Sequence, residues 1–192
     1  MFHYLNEYQK AKEYCEKELA IAIEIGDRKR EGTIYGNLGI VFRSLGGYQK
    51  AKEYYEKALA IAIEIGDRKE ERKICGNLGI VFRSLGGYQK AKEYYEKALA
   101  IAIEIGDRKE EGTIYGDLGI VFRSLGGYQK GKEYCEKALA IAIEIGNRKG
   151  EGTAYGNLGS VFYSLDEYQK AKEYCEKRSE ERRVGKECRS RW

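Results

Sequence analysis

Residues 35–68 read YGNLGIVFRSLGGYQKAKEYYEKALAIAIEIGDR and contain two amphipathic segments separated by a pair of glycines. In the first segment, Tyr35, Leu38 and Phe42 recur every three or four residues, which is the spacing of one face of an α-helix. The second segment repeats this step through the apolar residues Ala51, Tyr55, Ala58, Leu59, Ala62, Ile63 and Ile65. The stretch therefore predicts two helices joined by a tight turn, which form an antiparallel hairpin.

The hairpin recurs every forty residues. Residues 37–69 return unchanged as residues 77–109, and the string YQK appears five times at this spacing. A fixed period of this length is typical of repeat proteins, in which each unit buries its apolar face against its neighbours. We expect a truncated repeat over 1–26, complete repeats over 27–66, 67–106 and 107–146, a truncated repeat over 147–177, and a tail over 178–192.

Polar and glycine residues mark the ends of the expected helices. The positions before each first helix carry side chains that can accept backbone N–H bonds, namely Asp27, Asp67, Asp107 and Asn147. Glycines follow both helices of the unit, as at Gly46 and Gly66, where the left-handed conformation ends a helix without strain. Gly39 and its equivalents lie inside the first helix and are expected to allow close helix contact.

The repeat resembles the tetratricopeptide repeat family, since Tyr35, Leu38, Gly39, Phe42, Ala51, Tyr55 and Ala58 follow the family's spacing. Its length is similar to that of the longer repeats of the Pins/LGN class of G-protein-signalling modulators and of tetratricopeptide repeat protein 28. The resemblance covers nearly all of residues 1–177 and implies an all-α, right-handed solenoid of antiparallel helix pairs. It also implies that the first helices line a concave, peptide-binding face.

The last fifteen residues, RSEERRVGKECRSRW, break the forty-residue pattern in the middle of an expected second helix. This string resembles a translated sequencing adapter, so we expect residues 178–192 to be an artefact and the natural repeats to continue. A natural basic tail is the alternative. Since the first helix of the first repeat is also incomplete, both ends of the chain are expected to be cut.

Composition excludes several classes of protein. The tail, with six Lys or Arg and three Glu, supplies +3 of the net charge of +4, so the repeats carry only about +1. This charge is too small to attract nucleic acid or an anionic membrane in general. No apolar run is long enough to span a bilayer, and we expect a cytoplasmic protein. Cys15, Cys75, Cys135 and Cys175 stand at positions where other repeats have Tyr, so reduced, core-packed thiols are expected.

An enzyme is not indicated. His3 is the only histidine and is expected to be a surface residue, and neither a zinc-ligand cluster nor a phosphate-binding GxxxxGK[ST] motif is present. Catalysis normally needs a unique constellation of residues, whereas nearly every polar residue here recurs with the repeat. We therefore expect no cofactor, no metal and no catalytic residue.

The candidate peptide-binding residues lie on the first helices, on the stripe opposite the packing face. They are Asn37, Ile40, Arg43, Asn77, Ile80, Arg83, Asp117, Ile120, Arg123, Asn157 and Tyr163. Asn can bond a peptide backbone, Ile offers an apolar floor, and Arg grips carboxylates. The alternative for each residue is structural: the Asn residues satisfy neighbouring backbone, the Ile residues pack between repeats, and the Arg residues are solvated or ion-paired.

These residues favour a scaffold that binds an extended or helical protein segment bearing acidic residues. The main alternative is a structural module that self-associates weakly through open repeat ends. A helical-repeat RNA-binding protein is a third, less favoured reading, because it would need basic and stacking groups at matched positions of the groove.

Overall fold

The computed structural model describes the backbone of residues 2–189 and the side chains of residues 8–179. That part of the chain forms nine α-helices and contains no strand. The helices are α1 (Phe2–Glu24), α2 (Arg28–Ser44), α3 (Tyr48–Glu64), α4 (Arg68–Ser84), α5 (Tyr88–Glu104), α6 (Arg108–Ser124), α7 (Tyr128–Glu144), α8 (Arg148–Ser164) and α9 (Tyr168–Arg189). The all-α prediction is confirmed, whereas the expectation for the side chain of His3 lies outside the described residues.

The predicted residues cap the first helix of each hairpin. The side chain of Asp27 accepts a bond from the backbone N–H of Arg30 at 2.9 Å, and Asn147 accepts one from Gly150 at 3.0 Å. Asp67 and Asp107 cap α4 and α6 in the same way. Because each bond satisfies a donor of the first turn, these caps fix where each helix begins.

The predicted glycines end the helices in the left-handed conformation. Gly46 has a φ of 76° after α2, and Gly66 has a φ of 69° after α3. Asp166 takes the equivalent place after α8 with a φ of 62°, and its carboxylate accepts a hydrogen bond from the Tyr168 hydroxyl at 2.7 Å. Asp tolerates this conformation less well than Gly, so this bond helps to hold the turn.

The helices form two compact units, Met1–Ala98 and Leu99–Trp192, and the boundary falls within α5. In unit 1, α1 packs against α2 and α2 against α3 through an apolar core. Leu38 of α2 and Tyr55 of α3 are both fully buried. Phe42 stacks on Tyr54 with ring centroids 5.2 Å apart, and the ammonium of Lys57 lies 5.8 Å from the Tyr54 ring.

Unit 2 repeats this packing with α6, α7, α8 and α9. Its core includes Cys135 of α7, Leu158, Val161 and Phe162 of α8, and Ala171 of α9. Phe162 stacks on Tyr174 at 5.2 Å, as Phe42 does on Tyr54 in unit 1. The same hairpin is thus built from the same contacts in both units.

Two isoleucines of the predicted packing stripe are exposed, and this part of the prediction is wrong. Ile63 is 57% exposed and Ile65 is 40% exposed, whereas Ile61 is only 3% exposed. Ile63 lies 100° around the helix from Ala62 and so leaves the packed face, and Ile65 is the residue that caps α3. In residues 60–65, AIAIEI, apolar residues lie on all sides of the helix, so the helical period does not show which of them are buried.

The prediction that all four repeat-position cysteines are packed in the core is correct for only two of them. Cys75 and Cys135 are buried, Cys15 is half-buried and Cys175 is exposed. Cys135 packs beside Leu158 and Val161 of the following helix α8, while α9 is the last helix in the described residues. Position in the repeat therefore does not by itself decide burial.

Candidate functional site

A cavity of about 380 Å³ lies in unit 2 between the first helices α6 and α8, with α7 behind it. Small residues form much of its wall, namely Gly112, Gly116, Ala138, Ala142, Gly150 and Ala154. Isoleucines supply further apolar surface, with Ile120 from α6, Ile141 from α7 and Ile145 from the end of α7. Because small and aliphatic residues make up much of the wall, this space can hold an apolar group.

Polar groups surround this apolar surface. Lys109 and Lys149 line the cavity from the first turns of α6 and α8, and both are exposed. Asp117 and Asn157 line it from the middle of the same helices and are half-buried. The amide of Asn157 lies 3.5 Å from the backbone oxygen of Gly116, so it bridges α8 to α6 through a long hydrogen bond. The cavity therefore combines an apolar interior with charged and amide groups at its edge.

Side chains fill the equivalent space in unit 1. A Cβ placed on Gly36 of α2 would lie 3.3 Å from Cδ1 of Ile74 and 3.4 Å from Oε1 of Glu70, both on α4. The guanidinium of Arg43 donates to Oδ1 of Asn77 at 3.0 Å, which joins α2 to α4 a turn further along. In unit 1 the first helices thus contact one another directly where unit 2 has a cavity.

The structure brings together three of the eleven sequence-predicted site residues at this cavity, namely Asp117, Ile120 and Asn157. Arg123 and Tyr163 of unit 2 do not line it, and the Tyr163 ring instead lies edge-on to Tyr168 at 5.4 Å. The remaining six belong to unit 1, where Arg43 and Asn77 bond one another. The other four are Asn37, Ile40, Ile80 and Arg83, of which Asn37 is exposed and the rest half-buried.

Sequence reasoning missed Lys109, Gly150 and Ala154, although all three line the cavity. A signal was present, because Gly150 and Ala154 depart from the charged and Ile residues found at these places in the other repeats. In a repeat protein, a site that differs from its copies is the better indicator of a local function.

The titratable groups of the core do not suggest nucleophilic chemistry. Burial raises the pKa of the Cys135 thiol to about 12 and that of Cys75 to about 11. Both thiols therefore stay protonated at neutral pH, whereas a reactive cysteine needs its thiolate. Among the side chains of residues 8–179, no group of three or more His, Cys, Asp or Glu is placed to hold a metal ion.

No helix in the described part of the chain is both long and apolar enough to cross a membrane.

Comparison with known proteins identifies the class. A sequence model of the tetratricopeptide repeat matches residues 1–64, 71–130 and 110–180. The chain belongs to the tetratricopeptide repeat family, and its fold is that of an all-α repeat solenoid. No curated protein sequence matches this chain.

Solved structures share this fold. BtubC from P. vanneervenii is 24% identical, with a TM-score of 0.87 over 96% of this chain and 76% of its own. A putative kinesin light chain from Podosopora anserina with nearly identical TPR-like repeats is 18% identical, with a TM-score of 0.81 over 97% and 92%. A Rap protein complexed with competence and sporulation factor is 18% identical, with a TM-score of 0.72 over 80% and 43%.

Proposed function

We propose that this protein is a protein-interaction scaffold that binds an extended or helical peptide segment on its first helices, with the cavity between α6 and α8 as its main site in unit 2. The observation that carries this proposal is that cavity itself. It is a concave, apolar space of about 380 Å³ with charged and amide groups at its edge. Such a combination is typical of sites in which apolar contacts supply affinity and a few polar groups fix orientation.

The family supports the proposal. A Rap protein with a similar fold was solved in complex with competence and sporulation factor. The fold alone is shared with that protein, so the ligand has to be inferred from the residues of this chain. Partner residues would include Ile120 at the apolar surface and Asn157 at the edge, where an amide can donate to and accept from a peptide backbone.

Peptide selection tests this function directly. Phage displaying random twelve-residue peptides would be selected on the immobilised chain, and the enriched peptides would be synthesised and their dissociation constants measured. We expect enriched peptides that bind the folded chain. The Ile120→Asp variant should bind these peptides at least about tenfold more weakly, because a charge would enter the apolar surface. Failure to enrich any peptide above the unfolded-protein control would contradict the proposal.

A matched variant and a size measurement complete this experiment. Ile143→Asp changes a residue of α7 that is 55% exposed and does not line the cavity, so it should leave binding unchanged. Self-association is the alternative function, and it predicts that particle size grows with concentration across a dilution series. A particle of constant size that still captures peptides would support the scaffold.

A further inference from the structure

Helix α8 and its N-cap differ from the other first helices at five positions, and three of these line the cavity. Asn147, Gly150 and Ala154 stand where α4 has Asp67, Glu70 and Ile74. The second helices before them, α3 and α7, are nearly identical in sequence, so the difference lies in α8. The three changes remove two carboxylates and one branched aliphatic side chain from a single patch.

Unit 1 shows what normally fills this patch. Ile74 is fully buried, and its Cδ1 lies beside Gly36 of α2. The carboxylate of Glu70 also reaches Gly36, and it accepts hydrogen bonds from the ammonium of Lys73 at 3.1 and 3.2 Å. An aliphatic group and a carboxylate therefore lie side by side against the glycine of the preceding first helix.

Unit 2 keeps the glycine but lacks this filling. A Cβ placed on Gly116 would meet only Nδ2 of Asn157 at 3.5 Å and Cβ of Ala138 at 3.9 Å within contact distance. Ala154 ends at its own Cβ, and Gly150 contributes no side chain. The space that Ile74 and Glu70 occupy in unit 1 thus belongs to the cavity in unit 2.

The charges at the edge of the cavity complement an acidic ligand. In unit 1 the ammonium of Lys29 lies 4.0 Å from the carboxylate of Asp67. The equivalent pair in unit 2 is Lys109 and Asn147, which has no negative charge. Lys109 and Lys149 are both exposed at the edge, with Asp117 deeper along the first helix. Asn147 therefore lacks the negative charge that Asp67 places beside the lysine ammonium in unit 1.

We propose that this cavity binds a peptide segment that presents a branched aliphatic side chain beside an acidic one, in place of the missing Ile and Glu of α8. The aliphatic group fills the space over Gly116 and Ala154, and the carboxylate lies between Lys109 and Lys149. Two side chains point the same way at i and i+2 of an extended peptide or at i and i+4 of a helical one. This inference rests on the proposed peptide-binding function and names its ligand class.

Filling the cavity tests this inference. Gly150→Glu combined with Ala154→Ile restores the residues that α4 has at these places, while Ile143→Ala changes an exposed residue of α7 outside the cavity as a control. The probe is the set of peptides enriched from the random twelve-residue library on the wild-type chain. We expect these peptides to carry the aliphatic and acidic pair, and the filled variant to bind them roughly ten- to hundredfold more weakly, because the anchor loses its burial. The control should leave their binding within about twofold.

The filled variant is expected to fold. Glu and Ile are the residues that α6 also has at these places, in Glu110 and Ile114, and both raise helix propensity or core burial. A Cβ at Gly150 would lie 2.7 Å from Nδ2 of Asn147, so this side chain has to shift slightly. Ala154→Ile alone avoids that shift and serves as a second variant, with circular dichroism as the check on folding.

The outcomes separate the two proposals. If no peptide is enriched, the peptide-binding function fails and this inference fails with it. If peptides are enriched but lack the pair, or bind the folded filled variant as tightly as the wild type, only this inference is overturned. Two results together support this inference. The filled variant should bind the peptides more weakly than the wild type, and replacing the peptide's aliphatic residue by Ala should not change the affinity for that variant further.

Discussion

Gly39 of α2 lies directly against the ring of Tyr55 of α3, so that a Cβ added to this glycine would stand 2.5 Å from Cε1 of the ring. Tyr55 is fully buried there, and no side chain on α2 could share the space. The absent side chain thus sets how closely the two helices of the hairpin approach. The sequence-based expectation that Gly39 serves helix contact is confirmed.

Gly39→Ala should therefore destabilise the protein despite the higher helix propensity of alanine. We expect the free energy of unfolding to fall by about 1–3 kcal/mol, as for overpacked cores, with urea unfolding followed by circular dichroism as the measurement. Gly76→Ala is the matched control, because a Cβ on this glycine of α4 meets no atom within 4 Å. It should raise stability by up to about 1 kcal/mol, and similar effects of both substitutions would contradict the close contact.

Tyr55→Phe should raise stability. The Tyr55 hydroxyl is buried, and no hydrogen-bond partner for it is found among the described residues. Burial also raises the pKa of this phenol, which is partly offset by the charge of Arg43. Removing an unsatisfied buried hydroxyl should increase the free energy of unfolding by about 1 kcal/mol in urea unfolding. Tyr48→Phe, at a half-buried position, should change it by less than about 0.5 kcal/mol. A loss of stability in Tyr55→Phe would show that the hydroxyl is bonded.

The sequence allowed the hairpin and its ends to be predicted because each depends on local chemistry. Asp27 caps α2 by bonding a residue three positions on, and Gly46 ends α2 through its own φ. Burial at Ile63 depends on which face meets a neighbour, so the local period misled there. The cavity depends on what Gly150 and Ala154 leave vacant, and such a space is visible only once the two first helices are placed together.

Cys175 should react with thiol reagents much faster than Cys135. The Cys175 side chain is exposed, while Cys135 is buried and burial raises its pKa to about 12. Brief iodoacetamide labelling of the folded protein at pH 8 should modify Cys175 at least about tenfold faster. Trypsin releases the same peptide EYCEK around Cys15, Cys135 and Cys175, so chymotrypsin should be used before mass spectrometry. Equal labelling of Cys135 and Cys175 would contradict the burial of Cys135.

The buried Cys135 thiol should make the protein less stable at high pH. Its pKa rises from an ordinary value of 9.0 to about 12 on folding, so between these values mainly the unfolded state loses the proton. The thiol's contribution to the free energy of unfolding is fully present below pH 9. It is lost as pH rises towards 12, at about 1.4 kcal/mol per pH unit. Tyrosines also titrate in this range, so wild type should be compared with Cys135→Ala. Between pH 8 and pH 10 the wild type should lose about 1 kcal/mol more unfolding free energy than Cys135→Ala does. An equal loss in both proteins would contradict the prediction.

Peptide binding at the cavity should depend on salt through Lys109 and Lys149. Exposed ion pairs contribute little individually. Lys109→Gln or Lys149→Gln should therefore raise the dissociation constant of an enriched acidic peptide by about two- to fivefold at low salt. The loss should shrink as ionic strength rises, because screening already weakens these pairs in the wild type. Lys29→Gln is the matched control, since Lys29 lies beside Asp67 in unit 1.

Replacing the peptide's acidic residue by its amide should remove the effect of both lysine variants, because the carboxylate is the group they contact. Fluorescence polarisation at several salt concentrations measures all of these affinities. A salt dependence that survives both lysine variants would place the peptide's carboxylate elsewhere on the chain.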